Sequence, residues 1–143
     1  MTDVIRQLLF AWALLALCVA THALGIAGAM KRFKLSHGSH FWTWTWTFVK
    51  VAGWIVSIHL IEITIWAVFY VWRNAMADLP ASLYFSAVTY TTTGYGDLVL
   101  PENWRLVGAV EALTGILMCG WSTGFFFAAL SRMLETSRAE GGV

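Results

Sequence analysis

The chain has 143 residues, of which 59% are hydrophobic and only 12% are charged, and its mean hydropathy is +0.67. A water-soluble domain normally carries about 25% charged residues, so this composition indicates a membrane protein and excludes an ordinary soluble domain. The formal net charge of +1 provides no field for nucleic acid or for an acidic substrate. Cys18 and Cys119 both lie in apolar runs, which excludes a disulfide framework and a CxxC metal pair.

Three stretches of the chain are long and apolar enough to cross a membrane as helices. A crossing needs about 20 mostly apolar residues, and residues 4–30, 48–72 and 103–132 each provide that length. We therefore predict an all-α membrane protein with three transmembrane helices, the first of which occupies the N-terminal segment 1–30.

The segment "FWTWTWTFVK" before the second span alternates with period two, as a β-strand would. Directly before a membrane span it is better explained as an interfacial belt, with Trp42, Trp44 and Trp46 at headgroup depth. A ligand-stacking site is the alternative. We place this belt at the end of a basic, Trp-rich cytoplasmic loop over residues 31–47.

Between the second and third spans lies a shorter apolar segment, "LPASLYFSAVTYTT". About 12 helical residues reach only about 18 Å, roughly half of a bilayer, so we predict a re-entrant half-helix over residues 80–91. Asp78 can cap its first N–H groups, and Pro80 fits its first turn. Gly94 and Gly96 end it, because glycine adopts backbone angles closed to other residues. Irregular backbone at membrane depth is tolerated where it lines a water-filled path or packs in protein.

The basic residues after the first span set the predicted orientation. Short loops that contain residues such as Lys31, Arg32 and Lys34 stay in the cytoplasm. The N-terminus is therefore predicted outside and the tail over residues 133–143 inside, so the half-helix enters from the outer face. The alternative is a cleaved signal peptide with small residues at 27–29, which would place the basic cluster outside, against the charge bias.

The polar segment "TTGYGD", Thr92 to Asp97, closely resembles the selectivity-filter signature of potassium channels. The resemblance implies a homotetramer in a lipid bilayer, as in a bacterial plasma membrane, with K⁺ as the permeant ion and no other cofactor. It implies no binding of nucleic acid and no enzyme activity. It covers residues 48–132 and implies an outer helix at 48–72, a pore helix at 80–91, a filter at 92–97 and an inner helix at 103–132.

The resemblance also assigns roles to the residues of the filter. Removing water from a cation is costly, so backbone carbonyls must replace its hydration shell. To turn successive carbonyls inward, the backbone must alternate between dihedral regions, the role expected of Gly94 and Gly96. Tyr95 would pack behind the filter, and Gly96 and Asp97 would support it, with Asp97 at the outer mouth. The side-chain hydroxyl of Thr92 and four backbone carbonyls are the expected K⁺ ligands. The carbonyls are those of Thr92, Thr93, Gly94 and Tyr95.

One position departs from the family. Valine often stands where this chain has Thr93, so we expect the added hydroxyl to bond locally behind the filter and to alter its rigidity. Three functions stay open: a potassium-selective channel, a nonselective monovalent-cation channel, and a non-conducting accessory subunit on a channel-like scaffold. An enzyme is not expected, since the sequence shows no nucleophile–base arrangement or metal-ligand cluster.

Ionisable residues also occur inside the predicted spans. An unpaired carboxylate there costs about 3 kcal/mol, so Glu62 and Glu111 should both face protein. His59 and Glu62 are three residues apart and share a helix face. We predict an intramembrane polar network of His59, Glu62 and Glu111, with a structural hydrogen bond and a proton sensor as the two interpretations. Glu111 is also expected to contact hydroxyls of the half-helix.

Two further features have more than one interpretation. By the resemblance, Gly115 lies at the usual bending glycine of the inner helix, where it is either a gating hinge or a point of close helix packing. The first span lies outside the resemblance, and it could wrap the pore, regulate it or bind a membrane partner.

Overall fold

The structure is a computed structural model that describes residues 2–33 and 41–140, so residues 34–40 of the predicted loop lie outside the description. In the described part every regular element is helical and no strand occurs. Three helices are long and apolar enough to span a membrane, which confirms the prediction of an all-α membrane protein. The elements are α1 (Thr2–Arg32), α2 (Phe41–Trp72), α3 (Leu79–Tyr90), a 3₁₀ turn (Glu102–Trp104) and α4 (Arg105–Glu140).

Helix α2 begins earlier than the sequence predicts. The predicted loop is wrong for residues 41–47, which form the first turns of this helix. Within these turns the Thr47 hydroxyl donates to the Thr43 carbonyl, one turn earlier, at 2.9 Å, so this threonine finds a partner without leaving the helical conformation. Trp42 and Trp46 are four residues apart, so they lie on one helical face, and both are exposed. The Trp-rich belt is therefore part of α2.

Helix α4 extends beyond the predicted third span. The sequence predicts a tail from residue 133, whereas the helix continues to Glu140. The segment "MLETSRAE" contains mostly good helix formers and neither glycine nor proline, which explains the extension. At the other end, the 3₁₀ turn follows Pro101 and buries the side chain of Trp104.

Helix α3 is a short helix of 12 residues, the length predicted for the half-helix. Asp78 caps its start, because the carboxylate accepts a hydrogen bond from the backbone N–H of Ala81 at 2.8 Å. Ser82 and Ser86 attach the buried face of α3 to α2, since both hydroxyls donate to backbone carbonyls of that helix. The helix ends at Tyr90, where the polar segment of the chain begins.

Helix α1 packs against α2, α4 and the 3₁₀ turn instead of standing apart. Ala11 and Cys18 of α1 belong to the same hydrophobic core as residues of the other helices. Near the C-terminal end of α1, the indole N–H of Trp54 donates to the carbonyl of Gly25 at 2.9 Å. Near its N-terminal end, the Arg73 guanidinium lies 5.1 to 5.2 Å from the centroids of three rings: Phe10, Trp72 and Trp104.

Candidate functional site

Residues 92–97, called the filter segment below, follow α3 in a conformation that glycine favours. The φ angle is +58° at Thr92, +58° at Gly94 and +76° at Gly96. In an ordinary strand successive carbonyls alternate between two sides, and a positive φ at every second residue can bring them to one side. The sequence assigns this role to the two glycines, whereas the positive φ of Thr92 has no local sequence signal, because threonine rarely adopts it.

The backbone N–H groups at the start of the filter segment point back to α3. Thr93 and Gly94 donate to the carbonyl of Val88 at 2.9 and 3.2 Å, and Thr92 donates to the carbonyl of Thr89 at 2.9 Å. Within residues 2–33 and 41–140, no hydrogen bond ends on the backbone carbonyls of residues 92–95. The first three N–H groups of the segment therefore anchor it, while the carbonyls of residues 92–95 keep their full capacity for an external ligand.

The hydroxyl of Thr93 is anchored behind the segment. It lies 2.9 Å from the hydroxyl of Thr91, which donates its own proton to the carbonyl of Ala87 at 2.7 Å. Since a hydroxyl has one proton, Thr93 must be the donor in the contact between the two threonines. The departure from the family at this position thus adds one more link between the filter segment and α3.

The outer part of the filter segment is exposed. In the single chain, 71% of the surface of Tyr95 is accessible. The expected packing of its aromatic side chain behind the filter therefore needs a surface from outside this chain. The carboxylate of Asp97 accepts a hydrogen bond from the Tyr84 hydroxyl of α3 at 2.7 Å. This hydrogen bond holds the pKa of Asp97 below its usual value. Asp97 therefore keeps its negative charge at neutral pH and is held against α3.

Gly115 lies where α4 contacts the end of α3. A Cβ atom at this position would be 1.9 Å from the carbonyl oxygen of Tyr90, and the oxygen belongs to the backbone, which cannot move aside easily. The structure thus gives a packing reason for glycine at this position. A gating hinge at Gly115 stays a prediction.

The predicted network of His59, Glu62 and Glu111 is divided between two clusters with different hydrogen-bond partners. The first, called the Glu111 cluster, consists of Glu111, Tyr70 and Ser86. Tyr70 of α2 donates to Oε2 of Glu111 at 2.7 Å, and the hydroxyl of Ser86 in α3 contacts Oε1. Glu111 has no exposed surface.

The second cluster, called the ring, is a closed circuit of five side chains. Nδ1 of His22 lies 3.0 Å from Oε1 of Glu62, and the other carboxylate oxygen contacts the hydroxyl of Tyr90. That hydroxyl lies 3.0 Å from Nδ1 of His59. The circuit closes through the Ser122 hydroxyl, which lies 3.1 Å from Nε2 of each histidine. Each of the helices α1 to α4 contributes to the ring.

Three members of the ring have no sequence prediction: His22, Tyr90 and Ser122. His22 carries a signal that could have identified it, since a histidine inside a membrane span is expected to have a polar partner. Ser122 and Tyr90 carry none, because both residue types are common in membrane helices. The side-chain nitrogen and oxygen atoms of His22, His59 and Glu62 lie within 4.8 Å of one another.

Comparison with known proteins agrees with this geometry. A family model described as "Ion channel" matches residues 44–132, which comprise most of α2, all of α3, the filter segment and most of α4. The potassium voltage-gated channel protein Shal of Drosophila melanogaster is 31% identical over 94 residues, which are 60% of this chain and 16% of that protein. This chain thus spans only a small part of that relative's length. No solved structure matches it. Helix α1 lies outside the family match.

Proposed function

Because this chain belongs to the ion channel family, we propose that it is a potassium channel in which residues 92–95 bind K⁺ through their backbone carbonyls. Four copies would surround a central pore, and K⁺ would pass down its electrochemical gradient. The relative Shal is a potassium voltage-gated channel protein by name, which supports K⁺ as the permeant ion. No covalent chemistry is required.

The observation that carries this proposal is the backbone of the filter segment. Positive φ angles at alternate residues favour carbonyls on one side, while the N–H groups at its start are held by α3. A dehydrated cation needs several oxygens at close and regular spacing to replace its hydration shell. A segment whose carbonyls have no partner in the described part of its own chain, and whose first three N–H groups are already occupied, meets this requirement.

The geometry of a single copy supports assembly of several copies, and the number four is what the resemblance of the filter segment implies. One filter segment presents carbonyls to one side only, so it cannot surround an ion, and closed cyclic symmetry is the usual solution. The exposed side chain of Tyr95 would then pack against a neighbouring copy. Apolar residues of α4 are also exposed in the single chain and are available for lipid or for contacts between copies: Leu113, Ile116 and Leu117.

Two electrostatic features favour a cation in this pore. The C-terminal end of α3 carries the negative end of its helix dipole, and the filter segment starts there. Asp97, which stays ionised beside Tyr84, would attract cations to the mouth. With the N-terminus outside and the C-terminus cytoplasmic, as the basic residues after α1 indicate, this mouth would face outward.

Potassium flux from liposomes that contain the purified protein tests the proposal. Gly96 has a φ of +76°, which strains any side chain, so Gly96→Ala should reduce flux about tenfold or more, equivalent to strain of about 1.4 kcal/mol. Gly53→Ala is the matched control, because Gly53 lies within helix α2 and a Cβ there would meet nothing within 4 Å. The control should conduct like the wild type.

Two results would contradict the proposal. Flux that is equal in Gly96→Ala and the wild type would place the conducting path away from the filter segment. A wild-type protein that forms tetramers in the liposome and still shows no flux would instead favour the accessory subunit.

A further inference from the structure

The ring is a closed circuit, and this closure allows its protons to be counted. Five hydrogen-bond links join the five side chains, and each link needs one proton. Ser122 and Tyr90 bring one proton each, and a neutral imidazole brings one from each of His22 and His59. An ionised Glu62 brings none, so four protons are available for five links.

One additional proton completes the circuit. If it lies on the carboxyl group of Glu62, both imidazoles stay neutral, and every link has one donor and one acceptor. If it lies on His22 or on His59 instead, the directions of the other hydrogen bonds can adjust so that every link is again satisfied. The fifth proton therefore belongs to the ring as a whole.

Charge balance supports the same count. With five protons the ring has no net charge, whereas with four it has a charge of −1 in a site where His22 and Glu62 have no exposed surface. Burial of an uncompensated charge is costly. A sixth proton would give a charge of +1 and would place two donors against each other in one link. Only with five protons are all five links of the ring satisfied without net charge.

The groups around the ring do not provide the missing positive charge. Among residues 2–33 and 41–140, the titratable side chains outside the ring that interact electrostatically with Glu62 are the thiols of Cys18 in α1 and Cys119 in α4. Glu111 of α4 acts on Cys18. All three become negative when they ionise, so none can neutralise a carboxylate. A divalent metal ion at the same ligand atoms would leave a charge of +1 and would replace the hydrogen bond between His22 and Glu62.

We propose that the ring is a buried binding site for one proton, and that this proton holds α1 against α2, α3 and α4. His22 is the contribution of α1, and the other members lie on the helices that the family match covers. Tyr90 ends α3 two residues before the filter segment, so loss of the proton would also alter conduction. That last effect rests on the proposed function, whereas proton binding and the attachment of α1 do not.

The variant Glu62→Gln tests the proton count directly. The amide keeps one acceptor oxygen for His22 and presents an N–H to Tyr90, so it supplies the fifth proton permanently and without charge. The variant should fold and should have lost the pH dependence of the ring. If Glu62→Gln fails to fold, the count is contradicted, because the amide satisfies every link that the count requires.

The readout is the melting temperature of the full chain in detergent as a function of pH. We expect the Tm of a Glu111→Gln protein to fall as pH rises through the range in which the folded ring still holds the fifth proton and the unfolded chain has lost it, because the folded state then binds one proton more than the unfolded state. The fall should level off once the folded ring has also lost this proton. Adding Glu62→Gln to the same protein should abolish this fall. The Glu111→Gln background removes the other buried carboxylate as a source of pH dependence.

A second measurement follows α1 itself by chemical labelling. Cys18 has no exposed surface and lies four residues, about one helical turn, before His22. In a Cys119→Ala protein in liposomes, labelling of Cys18 by a membrane-permeant maleimide should accelerate when the ring opens. The same protein with Glu62→Gln added is the reference at each pH. Dividing the first labelling rate by the second gives a labelling ratio. An ionised Glu62 disfavours the negative thiolate of Cys18, so the remaining difference in thiol ionisation can only lower the first labelling rate relative to the second. A rise of this labelling ratio toward alkaline pH therefore reports the opening of the ring.

The proposal is overturned if the Tm profile of the Glu111→Gln protein keeps the same shape when Glu62→Gln is added. It is also overturned if the labelling ratio stays constant with pH. A Tm that Zn²⁺ raises in the wild type and not in Glu62→Gln would also overturn it, because the occupant would then be a metal ion. None of these readouts requires ion flux, so their failure is separate from failure of the proposed channel function.

Discussion

The Glu111 cluster and the ring both satisfy a carboxylate inside the membrane-spanning core, but they connect different parts of the molecule. Glu111 and its hydroxyl partners all lie on α2, α3 and α4, within the region that the family match covers. The ring adds His22 of α1, which lies outside that region. The region of the family match is therefore stabilised from within by the Glu111 cluster, while the ring connects α1 to it.

The two clusters also differ in where a proton can be held. The Ser86 hydroxyl has one proton but contacts two acceptors, the carbonyl of Ile63 and the carboxyl group of Glu111. Both contacts are satisfied only if Glu111 carries its own proton and donates it to Ser86. In the ring the proton can be held by Glu62 or by either histidine. A fixed proton suits a structural brace, and a shared one suits a site that responds to pH.

Both clusters join a residue of α3 to a residue of α4, so both depend on the contact between these helices. Gly115→Ala, which disturbs this contact, should therefore have the largest effect on stability. Its new Cβ would overlap the Tyr90 carbonyl oxygen at 1.9 Å, and such overpacking costs about 1–3 kcal/mol or more. We expect a lower Tm and a smaller tetramer fraction after cross-linking. Gly120→Ala on the same helix is the control, since nothing lies within 4 Å of its Cβ. Equal stability of the two variants would contradict this packing role.

The pair Tyr90→Phe and Tyr70→Phe compares the two clusters by removing one hydroxyl from each. Tyr90→Phe removes two links of the ring and should cost about 1–3 kcal/mol. It should also change potassium flux, because Tyr90 lies two residues before the filter segment. Tyr70→Phe removes one link to Glu111 and should cost about 1 kcal/mol with little change in flux. A larger effect of Tyr70→Phe on flux would reverse our view of the clusters.

Sequence reasoning succeeded where the signals are local. The length of α3 follows from an apolar run between Asp78 and the glycines, and the cap at Asp78 depends on residues within one turn. The positive φ angles at Gly94 and Gly96 likewise reflect a property of glycine itself. Such features require no knowledge of how the helices pack.

Most features that sequence reasoning missed depend on tertiary packing. His22 and Ser122 are 100 residues apart, and no periodicity relates them. The early start of α2 was missed for a local reason, because the alternation of Trp and Thr favours a strand or an interfacial belt over a helix. The close contact at Gly115 is visible only once the end of α3 is placed against α4.

The central claim is that carbonyls of residues 92–95 select K⁺, and the reversal potential tests it most directly. With purified protein in a planar bilayer, K⁺ on one side and an equal concentration of Na⁺ on the other, current should reverse far from zero, at a potential that opposes K⁺ efflux. The hydroxyl of Thr93 bonds to Thr91 behind the filter segment and leaves its carbonyl available for the ion. A reversal potential near zero would contradict selectivity and identify a nonselective cation channel.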